Sequence, residues 1–192
     1  MNRIRGSDLM KPWTILRRET AFRNPILKVQ QEVLVTPDGG ETEWTVVELG
    51  DGVCVLPLGP TGFRMIRQYR PAVEEAVLEF PAGRREEGES VLDTARRELR
   101  EEAGLEADRL TPLGWLWPLD GICRHRIHYV LAQNLSDVAS APEPFEDIVL
   151  ETVERAELMR RLADGRLRDG VGAAGLSLLL AWEASGSESE AS

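Results

Sequence analysis

Three glutamates, Glu98, Glu101 and Glu102, crowd into one short stretch of the chain. On a helix turning about 100° per residue, Glu98 and Glu102 stack one turn apart on one face, with Glu101 about 60° further round from Glu98. Like charges at that spacing repel by about 0.2–0.5 kcal/mol even in water. A hard cation relieves the repulsion, since Mg2+ and Mn2+ choose oxygen ligands and are held by one or two carboxylates together with phosphate oxygens. The competing reading is a solvated helix face whose acids pair with Arg96, Arg97 and Arg100. Other metal-ligating types give less. His125 and His128 stand three apart in what reads as a strand, where such residues point to opposite faces. Cys54 and Cys123 lie too far apart for a ligand pair or a disulfide framework, and read as thiols of a reducing compartment, with the cytoplasm expected.

The wider frame of the glutamates separates the two readings. Gly83, five residues, Glu89, seven residues and then Arg97-Glu98-Leu99-Arg100-Glu101-Glu102-Ala103-Gly104-Leu105 resembles, position for position, the 23-residue signature of the Nudix hydrolases. All nine constrained positions agree. The resemblance implies a mixed β-sheet sandwiched between α-helices, and Mg2+- or Mn2+-dependent hydrolysis of a nucleoside diphosphate linked to another moiety. It implies Glu98 and Glu102 as chief metal ligands, Glu101 as a third, and the backbone carbonyl of Ala82 completing the set. Arg97 and Glu89 would pair to brace the loop and helix. A pyrophosphate resists water because it is electron-rich, and divalent ions neutralise its charge, position the nucleophile and stabilise the leaving phosphate.

Beyond the signature, Gln68-Tyr69-Arg70-Pro71, then Leu78-Glu79-Phe80-Pro81-Ala82-Gly83, and later Glu146-Asp147-Ile148 through Gly165-Arg166-Leu167, look like the ADP-ribose pyrophosphatase branch. That resemblance implies Arg70 on the diphosphate with Arg67 nearby, and Glu79 lining the site. An acidic residue of the late loop, Glu146 with Glu143 as the fallback, would orient the attacking water as base or bind a further metal. The branch also implies a homodimer whose N-terminal strands reach the partner's site. Three positions depart from it: Asp120-Gly121 replaces a proline–glycine pair, Cys123-Arg124-His125-Arg126 stands where an acidic side chain is common, and Trp44 replaces a basic residue. Trp44 would stack on a base or close a pocket, or serve as dimer core. ADP-ribose leads as substrate; GDP-mannose, UDP-glucose, a dinucleoside polyphosphate and a binding module without catalysis are the alternatives.

The elements that must position these groups are legible. Thr14–Leu16, Ile26–Val35 and Trp44–Val47 read as antiparallel strands around a Pro37-Asp38-Gly39-Gly40 turn, a subdomain over residues 1–49. In the catalytic domain, residues 50–184, Val53–Leu58 and Phe63–Tyr69 flank a hairpin loop, and Val77–Phe80 is a short strand. The glutamates fall on a helix from Ser90 to Ala103, opened by a Ser90–Asp93 capping box and closed by Gly104, with Leu92, Ala95 and Leu99 as its core stripe. Strands at Leu113–Trp117, Ile127–Leu131 and Ile148–Val153 and helices at Ala156–Ala163 and Ala173–Trp182 follow. Residues 185–192 read as a disordered tail. Strands and helices mix without regular alternation, which predicts an α+β fold.

Composition bounds the rest. A chain of 192 residues, 42% hydrophobic, builds a real core. The formal charge of −10 disfavours holding nucleic acid or an anionic membrane by bulk electrostatics, so any anionic ligand must be held locally; the small nucleotide-sugar partner is what the resemblance implies. No stretch reaches the length of a membrane span, and the opening residues lack the apolar run of a signal peptide.

Overall fold

The computed structural model describes residues 12–139 and 147–186. The chain divides into two compact units, residues 1–50 with 119–125, and residues 51–118 with 126–192.

In the first unit, β1 (Thr14–Arg23), β2 (Lys28–Val35), β3 (Glu41–Glu48) and the two-residue β9 (Cys123–Arg124) form one sheet in that order. Neighbours are antiparallel except β3 and β9, which run parallel with Glu48 opposite Arg124. The turn from β1 to β2 forms because the Asn24 side chain accepts hydrogen bonds from the Ile26 and Leu27 amides at 2.9 and 2.8 Å. The inward residues of β2 alternate as the pleat requires, yet two of them, Gln30 and Glu32, are polar. Glu32 is buried between Arg124, at 2.7 and 2.9 Å, and Arg18, at 2.5 Å, and these arginines hold its carboxyl below the usual range against the opposing effect of burial. The strand β9, which sequence reading did not anticipate, thus carries a second cation for the buried Glu32.

The second unit is the predicted sandwich. Its strands are β4 (Gly52–Gly59), β5 (Gly62–Arg70), β6 (Glu75–Glu79), β7 (Ala82–Arg84), β8 (Leu105–Leu116), β10 (Ile127–Asp137) and β11 (Ile148–Val153). Its helices are α1 (Val91–Ala103), α2 (Arg155–Ala163) and α3 (Gly170–Ala184). The main sheet runs β11-β5-β4-β10-β8, with β6 on β5 and β7 on β4. Central β4 pairs parallel with β10, while β5, β8 and β11 add antiparallel pairs. Because β4 is covered on both faces, it reads as an unbroken apolar run. Val53 and Val55 face α1 through Ala95, Leu99 and Ala103. Cys54 and Leu56 face α2 and α3 through Leu158, Leu176 and Leu179. Burying each such branched side chain contributes about 1.5–3 kcal/mol.

Several predicted elements were too short: β1 runs on to Arg23, β3 spans Glu41–Glu48 and β10 runs on to Asp137, each extended by pairing with its neighbour, and β8 and α3 both start earlier than expected. β8 begins at Leu105, eight residues before its predicted start at Leu113. It is an edge strand, where charged residues and Pro112 are tolerated, and a register shift opposite Tyr129/Val130 breaks its alternation. α3 begins at Gly170, because Asp169 caps it by accepting from the Val171 and Gly172 amides at 3.0 and 2.9 Å. The glycines in its first turn hid that start. Among the described residues no helix is long and apolar enough to cross a membrane.

Candidate active site

The first layer of the site is helix α1 itself. Ser90 Oγ accepts from the Asp93 amide at 3.1 Å, and Gly104, at φ 60°, ends the helix with its N–H on the Arg100 carbonyl. The helix therefore presents Thr94, Ala95, Glu98, Leu99, Glu102 and Ala103 to the interior. Leu92, predicted in that stripe, is only partly buried. Glu98 and Glu102 are 6% and 5% exposed, a placement the solvated-face reading does not accommodate. Glu101 stays partly exposed at the rim.

The second layer is the backbone of β7, laid directly on the two buried carboxylates. The Ala82 amide donates to Glu102 Oε2 at 2.8 Å. At Gly83 an added Cβ would stand 1.9 Å from Glu98 Oε1, so only glycine lets the chain pass this close. Arg97 fastens the loop to the helix. Its Nε donates to Glu89 Oε1 at 3.0 Å, its Nη2 to Glu89 Oε2 at 3.2 Å and to the Arg84 carbonyl at 2.9 Å, and its Nη1 to Glu98 and Glu101 at 2.6 and 3.0 Å. Glu89 also accepts from Thr94 Oγ1 and the Glu86 amide. These bonds, Arg97's foremost, pull the Glu89 carboxyl down to about 2.

A third group adjoins the same interior. Arg70 grips the buried Glu79 with Nε at 2.9 and 3.1 Å and Nη2 at 2.5 Å. Glu75, opposite Arg70 in the β5–β6 ladder, pairs with Arg168. Burial, and after it the charges of Asp169, Glu102 and Glu79, push the thiol of Cys54 up, so carboxylates of α3's cap, α1 and β6 all act on one buried side chain. Asp169 is the residue that sequence reading missed. Burial, followed by the charge of Glu79, pushes its carboxyl up to about 6. Its only sequence signal is an Asp before a glycine-rich helix start, which indicates a cap and nothing more.

Not every predicted residue lies with these. Arg67 points into a separate cleft, where it pairs with Glu151 at 2.8 Å. Trp44 belongs to the N-terminal unit, edge-on to Trp13 at 6.0 Å, with Nε1 donating to the Gly121 carbonyl at 3.3 Å. His125 lies before β10 rather than in it, donating from Nδ1 to the Gly50 carbonyl. Glu143 and Glu146 lie outside the described residues, as does the tail beyond residue 186.

The donors suit a hard divalent cation: two buried carboxylates, a third at the rim and the backbone carbonyl of Ala82, all oxygen. Among the described residues no three acidic, histidine or cysteine side chains are preassembled as a cage. Arg97 balances the charge of Glu98 and Glu101.

Known proteins resemble this chain in sequence and fold. The family model described as NUDIX domain matches residues 48–170. An ADP-ribose pyrophosphatase of Bacillus subtilis (strain 168) is 31% identical over 140 residues, covering 72% of this chain and 76% of that protein. The ADP compounds hydrolase NudE of Escherichia coli (strain K12) is 29% identical over 182 residues, covering 92% and 96%. A crystal structure of an ADP compounds hydrolase superposes with a TM-score of 0.82 at 26% identity, over 90% of this chain and 95% of that one.

Proposed function

Because the chain belongs to the NUDIX domain family, we propose that its substrate is ADP-ribose, cleaved by water to AMP and ribose 5-phosphate. The reaction class is hydrolysis of the pyrophosphate bond of a nucleotide sugar. The observation that carries the site assignment is the clasp of β7 on the buried Glu98 and Glu102.

Nudix hydrolases depend on a divalent metal ion, and Mg2+ is the ion proposed here, with Mn2+ as substitute. Glu98, Glu102, Glu101 and the Ala82 carbonyl would hold it. When bound, it neutralises the diphosphate and polarises the attacking water. The residues do the rest. Arg70, whose guanidinium is kept charged by Glu79, stabilises negative charge on the diphosphate. Glu79 fixes the direction of that fork. Arg97 and Glu89 hold the loop so that Glu98 and Glu102 keep one geometry. Glu146 of the late loop, or Glu143 in its place, takes the proton of the attacking water.

The working form proposed is a cytoplasmic homodimer in which the N-terminal strands serve the partner's site and Trp44 stacks on the base. Two free cysteines are consistent with a reducing compartment. Arg67 is retained as a substrate contact only if its loss raises KM for the nucleotide sugar.

The test is a substrate panel of ADP-ribose, GDP-mannose, UDP-glucose and a dinucleoside polyphosphate with Mg2+, run on the wild type and on Glu98→Gln and Glu102→Gln. Turnover of ADP-ribose should lead, and each variant should lose about 10²–10⁴-fold in kcat while remaining folded. Wild-type rates in either variant would overturn the site assignment. Absence of turnover on every panel member would return the chain to the role of a binding module. Hydrolysis in ¹⁸O-labelled water then shows which product carries the label, hence which phosphorus is attacked.

A further inference from the structure

Four arginines of the catalytic unit gather at a cleft that Glu98, Glu102, Arg70 and Glu79 do not line. A cleft of about 400 Å³ is floored by Ala76, Val77 and Leu78 of β6 and walled by Arg67, Arg161, Arg166 and Arg168. The walls come from β5, α2 and the segment that joins α2 to α3. Of the residues lining it, Glu75 alone is acidic. The lining presents four guanidinium groups and one carboxylate, in a chain carrying −10 overall.

The other acids nearby stand behind the arginines and set their direction. Glu151 accepts from Arg67 at 2.8 Å and from Arg161 at 3.1 Å. Glu157 accepts from Arg161 Nε at 2.8 Å and from Arg166 Nη1 at 3.3 Å. Asp164 holds Arg166 at 2.7 Å. A guanidinium has five donors in a rigid fork, so orientation by one carboxylate leaves others to offer. At the mouth, Arg168 Nη1 meets both oxygens of Glu75 at 3.0 and 2.8 Å. An oxyanion is therefore already accepted there, by a pair whose side chains are 68% and 55% exposed. Exposed pairs of this kind are worth about 0–1 kcal/mol. A phosphate dianion, offering more oxygens and twice the charge, outcompetes one carboxylate at that position.

We propose that this cleft is a second anion site, which binds the phosphate group of a small phosphomonoester or free phosphate, with Glu75 as the internal ligand that such an anion displaces. Its volume suits a phosphate with a sugar-sized substituent lying on the apolar floor of β6. Neither Arg70 nor its partner Glu79 lines this cleft.

The proposal is tested on the full-length protein in EDTA, so that metal-assisted binding at the carboxylates is removed. Inorganic phosphate and ribose 5-phosphate are titrated by calorimetry into the wild type, Arg166→Gln/Arg168→Gln and Glu75→Gln. The double variant should weaken binding about tenfold or more, the loss expected when charge-assisted contacts go. Glu75→Gln should tighten it about threefold or more by freeing Arg168. The substituted side chains are exposed, and an unchanged melting temperature shows that the fold is intact. Tighter binding of ribose 5-phosphate than of phosphate assigns the site to the ester; equal binding assigns it to the phosphate group alone. Equal affinity in the wild type and the double variant, or no binding to the wild type, overturns the site.

Discussion

Replacing Gly83 by alanine would place a methyl carbon 1.9 Å from Glu98 Oε1, and the carboxylate, being the end of a flexible side chain, is what must move. The expected outcome is a folded protein with a misplaced ligand: melting temperature close to wild type, kcat down by about 10². Wild-type turnover in Gly83→Ala would show that the seat of β7 on Glu98 has no bearing on catalysis. Glu89 gives a pH signature. Its folded pKa of about 2 lies below the ordinary value of about 4.3. The folded state therefore binds fewer protons there, so the stability it contributes is present above about pH 4.3 and is lost as pH falls toward 2. The wild type should melt higher than Glu89→Gln at pH 7, and the gap should narrow steadily between pH 4.5 and pH 2.5 in thermal melts, the range over which the unfolded carboxyl takes up its proton before the folded one does. A constant gap would exclude the charged pair with Arg97 as its source. The type and spacing of Glu98, Glu102, Glu89 and Arg97 were legible in the chain because the signature is local. The place of Asp169 beside Glu79 was not, because only tertiary packing brings α3's cap to that interior.

Helix α1, both of whose ends carry their own chemistry, was read to within a residue, whereas strands whose limits depend on neighbours were not. Helix α1 has a serine cap and a left-handed glycine, both local, and its observed span matches the predicted one. Strand β8 depends on pairing with β10, which stabilises Glu106, Asp108 and Arg109 in a strand that their polarity argues against. β9 is a stronger case. Two residues make a strand only because β3 is there to pair with, and the departure from the family pattern at Cys123-Arg124-His125 acquires a purpose from Arg124's bonds to Glu32 and Glu48. Arg124→Gln removes those charge-assisted bonds and leaves Glu32 with Arg18. Because Arg124 is itself partly exposed, the cost should be about 2 kcal/mol, measured as a lower urea midpoint. An unchanged midpoint would mean that the excursion through residues 119–125 is held by backbone pairing alone.

At the scale of the whole molecule, the strand β1 poses a problem for a monomer. Its ten residues are exposed throughout, it stands at the edge of its sheet, and Ile15, Leu16 and Phe22 are uncovered along it. A long exposed edge with apolar side chains invites pairing with another chain. A homodimer satisfies that edge by closing on a second copy of the same surface, which ends the association at two. Neither length nor net charge of the sequence foretold this; only the burial pattern singles out β1 from β2, whose alternate residues are covered. The wild type should therefore elute with twice the mass of the 21.4 kDa chain in light-scattering chromatography. Placing a carboxylate at two of the uncovered positions, Leu16→Glu with Phe22→Glu, should shift it to the single-chain mass, since burying both charges unpaired would cost several kcal/mol. If dimerisation also completes the site, the same variant should lose nucleotide-sugar turnover while its melting curve still shows a folded protein. A wild type that runs at 21.4 kDa at all concentrations, or a double variant that remains dimeric, would remove β1 from the interface.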